Sequence, residues 1–194
     1  KATNESLNRV TLKQWQKTEI LWLGLILLTS AVVFGGLLKA GPLTWDDDSN
    51  IFSNPFFLSG NWGSAWRDPY NELFVPVASS VWQALLVLGG GSALPFRLFN
   101  LVLHLANVIL VFCLLKGLAR RWSMPVVTVL AGTALFALHP MQVHAVAWIS
   151  GGRDLLAAFF ALVAVAVYFA GEMTLRRFAL ATALFLTSLL CKPS

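Results

Sequence analysis

The stretch from Ile20 to Leu38 carries no charged side chain, and no other feature limits the fold as sharply. As a helix rising about 1.5 Å per residue, it is long enough to cross the roughly 30 Å hydrocarbon core of a bilayer. Lipid offers no partner to backbone N–H and C=O groups, so a run of this kind predicts a transmembrane helix. Leu98 to Leu115 is a second such run, broken only by Asn100, His104 and Asn107. Pro125 to Leu138 is a third, continuing through an amphipathic stretch to Ile149, and Leu155 to Ala170 and Phe178 to Cys191 follow. The expectation is an all-α membrane protein with about five transmembrane helices.

Composition agrees, with 57% hydrophobic and only 12% charged residues, far from the balance of a soluble domain. The net charge of +5 invites a nucleic-acid reading, which the distribution of charge argues against. Lys1, Arg9, Lys13 and Lys17 precede the first run, Lys116, Arg120 and Arg121 follow the second, and Arg176 and Arg177 follow the fourth. The opposite side holds Asp46, Asp47, Asp48, Asp68, Glu72 and Asp154. This is the positive-inside asymmetry of a multi-pass integral membrane protein, with a cytoplasmic N-terminus and an extracytoplasmic first loop. The first run is long for the core of a signal peptide and Lys39 interrupts any small-residue cleavage site, so an uncleaved anchor is expected.

Residues 1–17 read as a cytoplasmic lead and 18–194 as a helical membrane domain, with residues 41–95 as its large outer loop. Trp45, Trp62, Trp66 and Tyr70 of that loop are amphipathic rings that favour the headgroup zone. Within it, Leu73 to Leu88 is apolar but punctuated by Pro76, Ser79, Ser80 and Gln83, which predicts a helix lying along the interface. Gly89, Gly90 and Gly91 end it.

Asp46, Asp47 and Asp48 lie just beyond the outer end of the first run. A carboxylate there can take a proton from a hydroxyl, while an acidic triplet can equally be a solvated turn. In the second run, Arg97, Asn100, His104 and Asn107 fall within an arc of roughly 80° on one helical face. Lipid cannot satisfy that stripe, so it faces protein or a wet cavity; interhelical hydrogen bonding and ligand contact both remain open. His139, His144 and the loop aspartates match no compact metal motif, and no metal is expected. Arg153 beside Asp154 is either an interfacial ion pair or a guanidinium placed for a phosphate.

Thr44-Trp45-Asp46-Asp47-Asp48 with Asn54-Pro55 comes first along the chain, then Arg97 to His104 with Asn107. Phe136 to Pro140, Val146 to Ile149, Asp154 to Ala157 and the closing Cys191 to Ser194 follow in order. Taken together, these segments resemble membrane glycosyltransferases of the GT-C type. The resemblance is greatest to the N-terminal half of the transmembrane and tetratricopeptide-repeat O-mannosyltransferases and their bacterial relatives. The resemblance implies transfer of a sugar from a polyprenyl-phosphate carrier to an acceptor on the extracytoplasmic side, with no cofactor. It gives Asp46 or Asp47 the catalytic contact with the acceptor. Arg153 and then Lys192 would steady the departing phosphate, His139 would orient either partner, and Asn100 and His104 would contact substrate.

The sequence departs from that pattern where relatives carry a glutamate after His-Pro, here His144, and where an arginine precedes the aspartate, here Gly152. About five spans are also roughly half those of the relatives. The leading expectation is therefore a polyprenyl-phosphate-sugar-dependent membrane glycosyltransferase or its N-terminal half. The alternative is a non-catalytic truncated relative, serving as a structural subunit of a larger membrane complex through its closely spaced alanines.

Overall fold

Backbone that cannot hydrogen-bond to lipid folds into helices, and helices are the only named elements among the described residues. The computed structural model describes residues 2–42, 46–69 and 73–193; for residues 2–16 only the backbone is described. Thr44, Trp45, Tyr70 and Glu72, named above, therefore lie outside the description, as do Lys1 and Ser194.

Helix α1 spans Ala2–Gly35 and closes in a 3-10 turn, Gly36–Lys39. The polar lead thus continues the first apolar run as one helix, because no proline interrupts it. A short π-helical turn, Asp48–Phe52, and helix α2, Pro55–Leu58, follow in the first loop. Asn54 caps α2 by accepting the Phe56 N–H at 2.9 Å. Helix α3, Pro76–Gly89, starts with a proline in its first turn and stops at Gly90 and Gly91, whose φ values of +55° and +83° suit glycine. Helix α3 packs on α4 (Leu94–Arg121) and on the last helix, burying Trp82 and Gln83.

Helix α5, Val126–Leu138, returns along α4 after a tight turn at Trp122 to Pro125. The short helix α6, Gln142–Ala147, leads through Trp148 to Gly151 into α7, Gly152–Phe169, against which α8, Leu175–Cys191, packs most extensively. Arg177 closes the turn between α7 and α8 by donating to the carbonyls of Val167 and Glu172.

Among the described residues, three helices are long and apolar enough to cross a membrane: Lys17–Lys39, Leu94–Arg121 and Gly152–Phe169. Helices α5 and α8, with 13 and 17 residues, are shorter than the roughly 20 that a full crossing takes. Large apolar side chains such as Leu21, Val32, Val127 and Leu135 remain mostly exposed. In water so much apolar surface would drive association; on helices of this length it is a lipid-facing surface. The chain is an integral membrane protein.

Helices α1 and α4 run antiparallel in a register fixed by three contacts. Glu19 pairs with Lys116 at one end, Ile26 packs with Val108 in the middle, and the Phe34 and His104 rings meet edge-on at 5.3 Å. The end opposite Glu19 and Lys116 gathers most of the buried polar side chains named above.

Candidate functional site at one end of the bundle

The start of α4 supplies the first anchor. Arg97 is 3% exposed, and its guanidinium donates from Nε to the Ala40 carbonyl at 2.8 Å and from Nη1 to the Ala147 carbonyl at 2.7 Å. Its Nη2 donates to the Gly41 carbonyl. One buried fork thereby ties the chain leaving α1 to the chain leaving α6, a geometry that a lysine ammonium cannot reproduce. The Asp47 carboxylate attracts the same guanidinium, so the buried charge has a counter-charge.

Asp47 is fully buried. Its Oδ1 accepts the Ser150 N–H at 2.9 Å and its Oδ2 the Ile149 N–H at 3.4 Å. The acidic segment of the first loop is thereby fastened to the connection that opens α7. Asp46 is half-buried, whereas Asp48 is exposed and accepts the Ser53 hydroxyl at 2.9 Å. Three adjacent carboxylates thus have three environments: Asp46 half-buried, Asp47 fully buried, and Asp48 exposed with a hydroxyl donor.

Asn100 sits one turn below Arg97 and donates from Nδ2 to the Trp148 and Ile149 carbonyls, at 2.7 and 3.4 Å. Gly152 makes this approach possible, since a Cβ there would stand 2.5 Å from Asn100 Oδ1. Gly151 is equally constrained, its would-be Cβ lying 2.6 Å from the Ala145 carbonyl oxygen. Deeper in α4, His104 Nε2 meets the Ala137 carbonyl at 3.0 Å and Asn107 donates to the Leu155 carbonyl at 3.0 Å. The polar stripe is a row of side chains holding carbonyls of four neighbouring segments. Asn100 and His104, expected at substrate, spend these groups on the protein's own backbone.

At the mouth of α7, Asp154 pairs with Lys192, just beyond α8. Arg153, half-buried, presents Nε and Nη1 atoms that are shielded from solvent and have no hydrogen-bond partner among the described residues. Buried N–H groups of a guanidinium are seldom left without an acceptor, so this is the position best prepared for an anion. His139, the last residue before Pro140 and just past the C-terminal end of α5, is exposed, its Nδ1 accepting the Met141 N–H at 3.2 Å. His144, exposed on α6, packs its ring at a tilt against that of Trp148, with centroids 4.6 Å apart.

Sequence reading alone missed the Ile149 and Ser150 N–H pair, the two tight glycines and the buried Trp82. Of these only the doubled Gly151-Gly152 left a visible signal, a pair placed immediately before a helix.

Comparison with known proteins bears on the same arrangement. The chain is 30% identical over 129 residues to protein O-mannosyl-transferase TMTC1 of Homo sapiens, covering 66% of this chain and 13% of that protein. It is 32% identical over 135 residues to protein O-mannosyl-transferase Tmtc1 of Drosophila melanogaster, 69% of this chain and 14% of that one. The chain is a relative of the protein O-mannosyl-transferases. The Mus musculus TMTC1 protein gives the same 30% identity over 129 residues. At the level of the family, this kinship supports a membrane glycosyltransferase. The chain spans only 12% to 14% of the length of these relatives. No family model matches it, and no solved structure does.

Proposed function

We propose that this chain forms the acceptor-side portion of a membrane glycosyltransferase that moves a sugar from a polyprenyl-phosphate carrier to a hydroxyl on the extracytoplasmic side. By kinship with the O-mannosyl-transferases, the sugar is a mannose. The observation that carries the reading is the Asp47 fastening. It holds the acidic segment against Ile149 and Ser150, immediately before Arg153 with its unpartnered guanidinium N–H groups.

The chemistry follows from that adjacency. Asp46 accepts the proton of the acceptor hydroxyl while the acceptor's oxygen bonds to the anomeric carbon. The bond from that carbon to the phosphate oxygen breaks, and its electron pair leaves with the polyprenyl phosphate. Arg153 donates to the phosphate oxygens as charge gathers on them, an interaction strengthened where water is excluded. Lys192 adds positive charge nearby but is held by Asp154. His139 is placed to contact either partner at the surface. Asp47, Arg97, Asn100 and His104 position this machinery without touching the substrate.

The test is transfer of mannose from polyprenyl-phosphate mannose to a serine- and threonine-containing peptide, with the protein in membranes. Asp46→Asn and Arg153→Gln each abolish transfer while insertion is retained. Full transfer by both variants ends the reading.

A second reading is a non-catalytic subunit of a larger membrane assembly. It is favoured by the number of polar groups at this end that are spent on backbone: those of Arg97, Asn100 and Asp47. It predicts co-purification in fixed stoichiometry with another membrane protein and no transfer by the wild-type chain.

A further inference from the structure

The interior of the bundle below the candidate site contains three side chains that share an unusual property. Ser30 on α1 and His104 and Asn107 on α4 are each 0% exposed, and each has one polar atom without a hydrogen-bond partner among the described residues. Those atoms are Ser30 Oγ, His104 Nδ1 and Asn107 Oδ1. The register of α1 on α4 sets them at about one level. His104 and Asn107 are a turn apart on one face of α4. The antiparallel register, with Phe34 against His104 and Ile26 against Val108, places Ser30 between those contacts and so opposite the same two residues.

Proton accounting fixes what can satisfy them. The Ala137 carbonyl can only accept, so His104 Nε2 carries the hydrogen and, in the neutral ring, Nδ1 is an acceptor. Asn107 Nδ2 donates to the Leu155 carbonyl, which leaves Oδ1 as an acceptor also. The Ser30 hydroxyl holds one hydrogen and can serve only one of the two. The nearby hydroxyls of Thr29 and Thr133 are already committed, donating to the Leu25 and Val129 carbonyls at 2.8 and 2.7 Å. Two buried acceptors and one hydroxyl match the valence of a single water, which donates twice and accepts once, near the usual count of about three bonds for a buried water.

We propose that Ser30, His104 and Asn107 bind one internal water molecule. This water joins α1 to α4 at the level where α4 also grips α5 through Ala137 and α7 through Leu155. It turns four helices into one hydrogen-bonded junction beneath the rim, and it gives His104 a structural role that does not depend on any sugar donor.

The test is solid-state NMR of the full chain, labelled with 15N-histidine, in lipid bilayers. His139→Gln and His144→Gln, both at exposed positions, identify the His104 signals. The expected result is a neutral ring protonated at Nε2, with polarisation transferred from bound water to Nδ1. Ser30→Ala should lose most of that transfer and shift the Nδ1 resonance. A ring protonated at Nδ1, or no transfer from water to Nδ1 in the wild-type protein, overturns the proposal. So does a Ser30→Ala spectrum identical to the wild type. Because the primary reading is made on the wild-type chain, a variant that failed to insert would leave the wild-type result decisive.

Discussion

Gly152 is the space that Asn100 occupies: a Cβ on the first would stand 2.5 Å from Oδ1 of the second. Because the amide also donates to the Trp148 and Ile149 carbonyls, it cannot retreat without leaving buried acceptors unpaired. Gly152→Ala should therefore destabilise the protein by about 1–3 kcal/mol, the usual cost of an overpacked site. Thermal unfolding in detergent checks this, and combining it with Asn100→Ala should cost less than the sum of the two single changes, since they contend for one volume.

Arg97 makes the sharpest stability prediction. Its loss would strand the Ala40, Gly41 and Ala147 carbonyls together with the Asp47 charge. Breaking one side of a buried charge pair costs about 3–5 kcal/mol, so Arg97→Met should strongly lower the unfolding temperature. Arg97→Lys should restore little of it, because one ammonium cannot reach three carbonyls set around a planar fork.

The two leading aspartates should separate by assay. Asp47→Asn keeps one acceptor oxygen but turns the other into an amide that cannot accept the Ile149 or Ser150 N–H, so stability should fall by about 1–3 kcal/mol. Asp46→Asn, at a half-buried position, should leave stability within about 0.5 kcal/mol and remove transfer. Equal losses of stability in the two variants would contradict this division of labour.

At the opposite end, Glu19 and Lys116 pair with limited exposure, 11% and 25% for their side chains, and the ammonium also lies 5.6 Å from the Phe112 ring centre. Glu19→Gln would leave Lys116 without its carboxylate on a lipid-facing helix. The expected cost is about 1–3 kcal/mol, below the figure for a fully buried pair because Lys116 keeps some access to water. Glu19→Gln combined with Lys116→Met should recover part of it, and chemical denaturation of the three variants measures the difference.

The helical architecture was legible from residue order because hydrophobic length and lipid physics leave few choices. The runs ending at Leu138 and Cys191 end where α5 and α8 do, and the glycines after Leu88 stop α3 as expected. The runs did not reveal that α5 is too short for a full crossing, since continuing apolar character past His139 hides the break made by Pro140. Nor could they show that α3 buries Trp82 against the bundle, a matter of packing between distant segments.

For the candidate site, the sequence by itself determined which polar residues lipid would reject. It set Arg97, Asn100, His104 and Asn107 on one face because helical periodicity is local and requires no partner. Only the tertiary structure decided what each of them does. Their acceptors are carbonyls contributed by segments far along the chain, and the same folding buried Asp47 fully while leaving Asp46 half-buried. Neighbouring carboxylates with identical chemistry differ in environment because burial and hydrogen-bond supply are properties of assembled surfaces, which no single stretch of residues encodes.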